Sequence, residues 1–141
     1  MTARIAIAEL TDQPLDLAAH EAAVADPAAG AVVSFNGVVR NHDDGRMVLE
    51  LEYHGHPTAP QLVREVAESV AARDGIIAIA VGHRVGMLHV GDIALAAAVS
   101  AAHRGEAFQA CSDLVDEVKH RLPVWKRQVF PDGTDEWVGS A

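Results

Sequence analysis

Apolar and polar positions along the chain follow two periods, one of strands and one of helices. Ala3 to Glu9 (Ala-Arg-Ile-Ala-Ile-Ala-Glu) predicts a short strand with Ile5 and Ile7 on one face. Thr11 and Asp12 before Pro14 predict an N-cap and a first helical turn, with a short helix running to about Val24. Asp26-Pro27 and Gly30 end it. Ala31 to Val39 is apolar and β-branched, Asn41 to Gly45 is a polar turn, and Met47 to His54 alternates. Met47, Leu49, Leu51 and Tyr53 then share a face, and the two runs predict a β-hairpin with a longish loop.

Helical spacing takes over from Thr58 to Asp74, where Leu62, Val63, Val66, Ala67, Val70 and Ala71 form one stripe and Gly75 stands at a C′ position. Ile76 to Val85 predicts a mostly buried strand, Gly86 to Asp92 a turn-rich connector, and Ile93 to Ala101 another strand. A second long helix is expected from about Gly105 to Arg121. Its core face holds Phe108, Cys111, Val115, Val118 and Leu122, with Ala107 and Leu114 beside them, and Pro123 stops it. Trp125 to Phe130 and a piece around Trp137 close the sheet across the turn Pro131-Asp132-Gly133. This order predicts an α+β fold, with helices packed on one face of a mixed or antiparallel sheet. With no repeat or linker, residues 1–141 form a single domain.

Charge then narrows the chemistry. Eleven Lys/Arg against twenty Asp/Glu give a net charge of −9, which argues against a surface that grips nucleic acid or anionic lipid. One cysteine excludes an intrachain disulfide and a thiolate-only zinc site. Met1 to Leu10 lacks the basic-then-apolar plan of an export signal, so a soluble protein of a reducing compartment is expected. The cations, however, are not spread evenly. Lys119-His120-Arg121-Leu122-Pro123-Val124-Trp125-Lys126-Arg127 holds four of the eleven, including both of the chain's lysines. Dipole stabilisation accounts for Lys119, His120 and Arg121 in a helix's last turn, worth about 0.3–1 kcal/mol, but not for Lys126 and Arg127 beyond the proline. Two scarce ammonium groups suggest a need for a tunable amine or a compact point charge. Lys119 falls at the edge of the apolar stripe, where a cleft-lining lysine and a snorkelling one look alike.

His103 and Arg104 sit just before a helix N-terminus, where cations are disfavoured by the dipole but an anion site would use them. Arg40 closes the strand Ala31 to Val39. His42, His54 and His56 have no carboxylate at a recognisable ligand spacing, so no metal site is expected. Cys111 reads as a small core residue rather than a nucleophile.

Four of these segments together resemble one family. Ala31 to His42, Val81 to Gly86 with Val90-Gly91-Asp92, Ser100 to Arg104, and Lys119 to Arg127 are similar, in order, to blocks of the large, catalytic subunit of molybdopterin synthase, the MoaE family. The resemblance runs from about Gly30 to Trp137. It implies a hammerhead-like α/β domain with a small extra β subdomain, in a cytoplasmic sulfurtransferase without a resident cofactor. Family members install the two dithiolene sulfurs of molybdopterin on cyclic pyranopterin monophosphate. The sulfur arrives as the C-terminal Gly-Gly thiocarboxylate of a small ubiquitin-like partner, and a homodimer forms the centre of a heterotetramer. On that resemblance Lys119 is the main catalytic amine and Lys126 its neighbour at the thiocarboxylate or the oxyanion, either one able to shuttle protons. Arg40, Phe35 and Arg127 belong to substrate binding, with Arg40 facing the same pocket and Phe35 an apolar wall. His103 and Arg104 hold the pterin phosphate from the second subunit.

This chain departs from the family pattern in four places. Val38 stands where many relatives have lysine, Val115 replaces a bulkier residue, and Gln128 follows Arg127 where glutamate is usual. The chain stops at Gly139-Ser140-Ala141 without a charged tail. Two other classes fit the same residues: a non-catalytic paralogue that docks a ubiquitin-like sulfur carrier, and a small anion-sensing regulatory domain.

Overall fold

The structure, a computed structural model, describes residues 3–139; the first two residues of the export-signal reading and the last two of the chain lie outside them. In chain order the elements are β1 (Arg4–Thr11), α1 (Leu17–Ala23), β2 (Ala31–Val38), β3 (His42–Asp43), β4 (Arg46–Met47), β5 (Glu50–Gly55) and α2 (Ala59–Ala71). They continue with β6 (Ile76–Arg84), β7 (Gly86–His89), β8 (Ile93–Ala101), α3 (Arg104–Arg121), β9 (Val124–Val129) and β10 (Asp135–Gly139).

The main sheet has the order β1-β6-β8-β2. It is mixed: β1 runs parallel to β6, while β6 with β8 and β8 with β2 are antiparallel. The α+β class and mixed sheet agree with the sequence pattern. Side chains alternate across this sheet, as the pleat requires. Ile79, Val81, Ala97 and Val99 face the larger core with α2 and α3, whereas Ala78, Ala80 and Ala98 face Val24 beyond α1. Two helices therefore share one face as expected, and α1 covers the other. Burying Ile79 and Leu114 completely contributes about 1.5–3 kcal/mol each. Arg73, just past α2, pairs with Asp113 of α3 and ties the two helices together.

A second sheet has the order β10-β9-β5-β7, and β3 with β4 makes a separate two-stranded ribbon. This corrects the expected long hairpin. β2 pairs along its length with β8, and β5 lies between β7 and β9. Asp44 (φ 49°) and Gly45 (φ 76°) form a tight two-residue turn of the I′ kind between β3 and β4, in place of a long loop. Met47 and Leu49 are accordingly exposed, and the buried alternation begins with Leu51 and Tyr53. The expected connector at Gly86–His89 is strand β7, pairing with Glu50–Tyr53.

The helix starts and faces also shift. Asp16, not Thr11 or Asp12, caps α1 by accepting the Ala19 N–H, because β1 continues to Thr11 opposite Arg84. On α3 the buried stripe is Ala107, Ala110, Cys111, Leu114, Val115 and Val118. Phe108 lies one residue, about 100°, off Ala107 and is 62% exposed rather than in the core. α2 ends at Ala71 with Ala72 as its C-cap, so Gly75 (φ 83°) serves the turn into β6 and not the helix cap itself. No helix among the described residues is long and apolar enough to cross a membrane.

Candidate functional site

The basic segment divides in the folded chain. Arg121 reaches Glu117 one turn back and Glu65 on α2. Arg127 donates through Nε to Asp135 at 2.6 Å and through Nη1 to Glu52 at 3.3 Å. Both arginines thus have carboxylate partners that explain them structurally. Lys119 and Lys126 do not; among the described residues neither joins an ion pair.

Instead the two lysines line one cavity of about 300 Å³, between the C-terminal end of α3 and the inner face of the second sheet. The strand period sets this division. Lys126 and Gln128 of β9 stand opposite Tyr53 and Leu51 of β5 and share their face, while Arg127 stands opposite Glu52 on the other. The α3 end brings Lys119, the chain leaving β2 brings Val38, Val39 and Arg40, and β3 brings His42 and Asp43. Three cations therefore face one small space with a single carboxylate, an arrangement suited to binding anions.

That carboxylate is held from two sides. Asp43 accepts from Gln128 Nε2 at 2.9 Å and from Arg40 Nη2 at 3.1 Å. The Gln128 hydrogen bond, helped by the charges of Lys126 and Arg40, keeps its carboxyl below the usual carboxylate range. In the cavity wall, burial raises the Tyr53 hydroxyl above its ordinary pKa. His83, 2% exposed, donates from Nδ1 to the Arg84 carbonyl at 2.8 Å. Burial first, and then the charge of Lys119, lower its pKa to about 4, so it is neutral near pH 7.

The remaining candidates lie elsewhere. Phe35 lines a separate apolar groove with Phe108, Cys111 and Val115, and so does not wall the lysine cavity. Arg127 faces away from it. His103 and Arg104 stand at the opposite end of α3 from Lys119, about 22 Å along the axis at 1.5 Å per residue. Within one chain they cannot share the lysine site. His54 packs near Trp137 on the outer face of the second sheet, away from His42. Among the described residues no group of three His, Cys, Asp or Glu is placed to hold a metal. Sequence reasoning missed Asp43, Tyr53 and His83. Tyr53 was visible as the apolar partner of Leu51 and His83 as the polar end of an apolar strand, but nothing in either pattern pointed to a cavity.

Comparison with known proteins places these residues in context. The family described as MoaE protein matches residues 10–121. The molybdopterin synthase catalytic subunit of Nostoc sp. is 38% identical over 131 residues, covering 92% of this chain and 79% of its own. The protein of that name from Thermoplasma volcanium is 34% identical over 134 residues, covering 94% and 96%. Among solved structures, the molybdopterin synthase of Staphylococcus aureus superimposes with a TM-score of 0.85 at 29% identity, over 93% of this chain and 96% of that one.

Proposed function

Because this chain belongs to the MoaE family, we propose that it is the catalytic subunit of a cytoplasmic molybdopterin synthase. In this reading it is a sulfurtransferase that moves sulfur from the C-terminal Gly-Gly thiocarboxylate of a small ubiquitin-like subunit to cyclic pyranopterin monophosphate, forming the dithiolene of molybdopterin. The observation that carries the reading is the convergence of the chain's two lysines, with Arg40, on one cavity.

The physical roles follow from charge and position. A thiocarboxylate and a phosphate are both anions, and a cationic cavity on an acidic protein localises them. Lys119, exposed at the rim of α3, is the main catalytic amine. Lys126, half-buried opposite Tyr53, stabilises the thiocarboxylate or the oxyanion formed as sulfur leaves it. In this reading either amine also serves as a proton shuttle during the transfer. Arg40 supports the anion from the β2 side. Opening the cyclic phosphate requires stabilisation of leaving-group charge, which His103 and Arg104 supply from the second protomer of a homodimer flanked by two small subunits. Cys111 is absent from this scheme because the partner delivers the sulfur.

A single-turnover reaction with thiocarboxylated partner and pterin precursor, followed by mass spectrometry of both, tests the reading. Wild type converts precursor and returns the partner as a carboxylate. Lys119→Ala keeps the fold, since the side chain is exposed, and loses about 10²–10³-fold in rate, as for removal of one charge-stabilising group. Undiminished turnover in that variant overturns the assignment of Lys119. The second reading, a non-catalytic paralogue that docks the carrier, is favoured by Val38 and Gln128, which line the cavity as uncharged residues where the family resemblance implies lysine and glutamate. It predicts complex formation without product.

A further inference from the structure

The cavity's one carboxylate is the feature that an anion site does not explain. Asp43 lies among Lys119, Lys126 and Arg40, where its charge opposes the binding of any anion. Its contacts give it another use. Gln128, 2% exposed on the central strand β9, spends its side-chain amide on Asp43, and the second oxygen of Asp43 takes the Arg40 guanidinium. The ribbon that carries Asp43 is also fastened by its other strand. Arg46 donates to Thr134 Oγ1 at 3.2 Å, lies 3.7 Å from Asp132 and stacks 3.5 Å over the Phe130 ring. The Asn41 carbonyl accepts from the Val48 N–H at 2.8 Å and closes the base of the ribbon.

We propose that Asp43 is a positioning residue: clamped by Gln128, it fixes the 42–47 ribbon at the cavity mouth and holds Arg40 in place for the incoming anion. The inference rests on the sulfur-transfer reading only for the identity of that anion. The backbone on either side of Arg40 is anchored, by Val39 to Gly91 and Asp92 and by Asn41 to Val48, so what the buried amide on β9 sets through Asp43 is the position of the exposed guanidinium itself. Pre-organising a long cation in this way lowers the cost of ordering it when the anion binds.

Two substitutions separate position from charge, because both remove the negative charge and only one removes the clamp. Asp43→Asn keeps the hydrogen bonds: its carbonyl accepts from Arg40, and its amide donates to a Gln128 turned end for end. Asp43→Ala leaves the Gln128 amide unpaired and Arg40 free. Positioning predicts that Asp43→Ala raises KM for the pterin precursor about tenfold, with kcat changed less than about threefold, while Asp43→Asn stays within about threefold of wild type. A purely electrostatic role predicts that both variants bind the precursor more tightly than wild type, which would overturn the proposal. So would a role confined to stability, seen as unchanged KM and kcat in the folded fraction of Asp43→Ala. Hydrogen exchange of residues 40–48 gives a readout independent of the reaction. Protection retained in wild type and Asp43→Asn but lost in Asp43→Ala supports the clamp even if wild type turns out not to transfer sulfur, and equal protection in all three refutes it.

Discussion

Tyr53 stands edge-on to His83, with ring centroids 5.1 Å apart and ring planes at 85°. The contact joins the second sheet to the main one behind the cavity, and it seals His83 from water. A buried imidazole kept neutral beside Lys119 spares the lysine a second positive charge. The same burial makes stability depend on pH. Unfolded, His83 binds a proton near pH 6.5; folded, it does so only near 4.

As pH falls through that window the unfolded chain takes up a proton that the folded chain refuses, so stability present above pH 6.5 is lost toward pH 4. The difference corresponds to about 3 kcal/mol at full extent. Urea unfolding at pH 7, 5.5 and 4.5 should show the decline in wild type and a shallower one in His83→Asn. Parallel curves for the two proteins would remove His83 as the source.

Cys111 is 3% exposed on the buried stripe of α3, and burial pushes its thiol up to about 11. At neutral pH its thiolate fraction is on the order of one part in a thousand or less. A thiol-specific reagent should label the native protein at least about 100-fold more slowly than the unfolded chain, as burial protects a structural cysteine. Cys111→Ala should keep single-turnover sulfur transfer within about twofold while losing about 1 kcal/mol of stability. A dead variant that still folds would bring this sulfur into the reaction.

His103 and Arg104 lie a helix length from Lys119. If they serve the same reaction, they do so across two protomers, and complementation follows. Lys119→Ala and Arg104→Ala, each inactive alone, should regain about a quarter of wild-type activity when refolded together in equal amounts. Half the dimers are then mixed, and one of the two sites in each is intact. No recovery, with mixed dimers demonstrated by mass, would place His103 and Arg104 outside the reaction.

How far the fold could be read beforehand differed by element. Ile93–Ala101 was legible to the residue, because its unbroken apolar run fits a strand buried on both faces. The start of β2 was legible from its β-branched run after Gly30, although as an edge strand it alternates partly buried and exposed positions. The ribbon at 42–47 was not. Alternation from Met47 to Tyr53 imitates one continuous strand, yet Val48 turns inward to the core while Met47 and Leu49 stay in water. Phe108 misled for a related reason: a large apolar residue at the margin of a helical stripe looks like core until the neighbouring sheet fixes which side the stripe faces.

Local pattern alone determined the α+β class and the gathering of the scarce amines at the end of a long helix and the start of the next strand, since period, proline and charge are properties of short stretches. The sorting of that basic segment, Lys119 and Lys126 into a cavity and Arg121 and Arg127 onto carboxylates, was settled only by the assembled molecule. So was the meeting of Asp43 with Gln128 across 85 residues. Which partner faces a side chain depends on strand register and sheet order, and those are set by long-range pairing that no short stretch encodes.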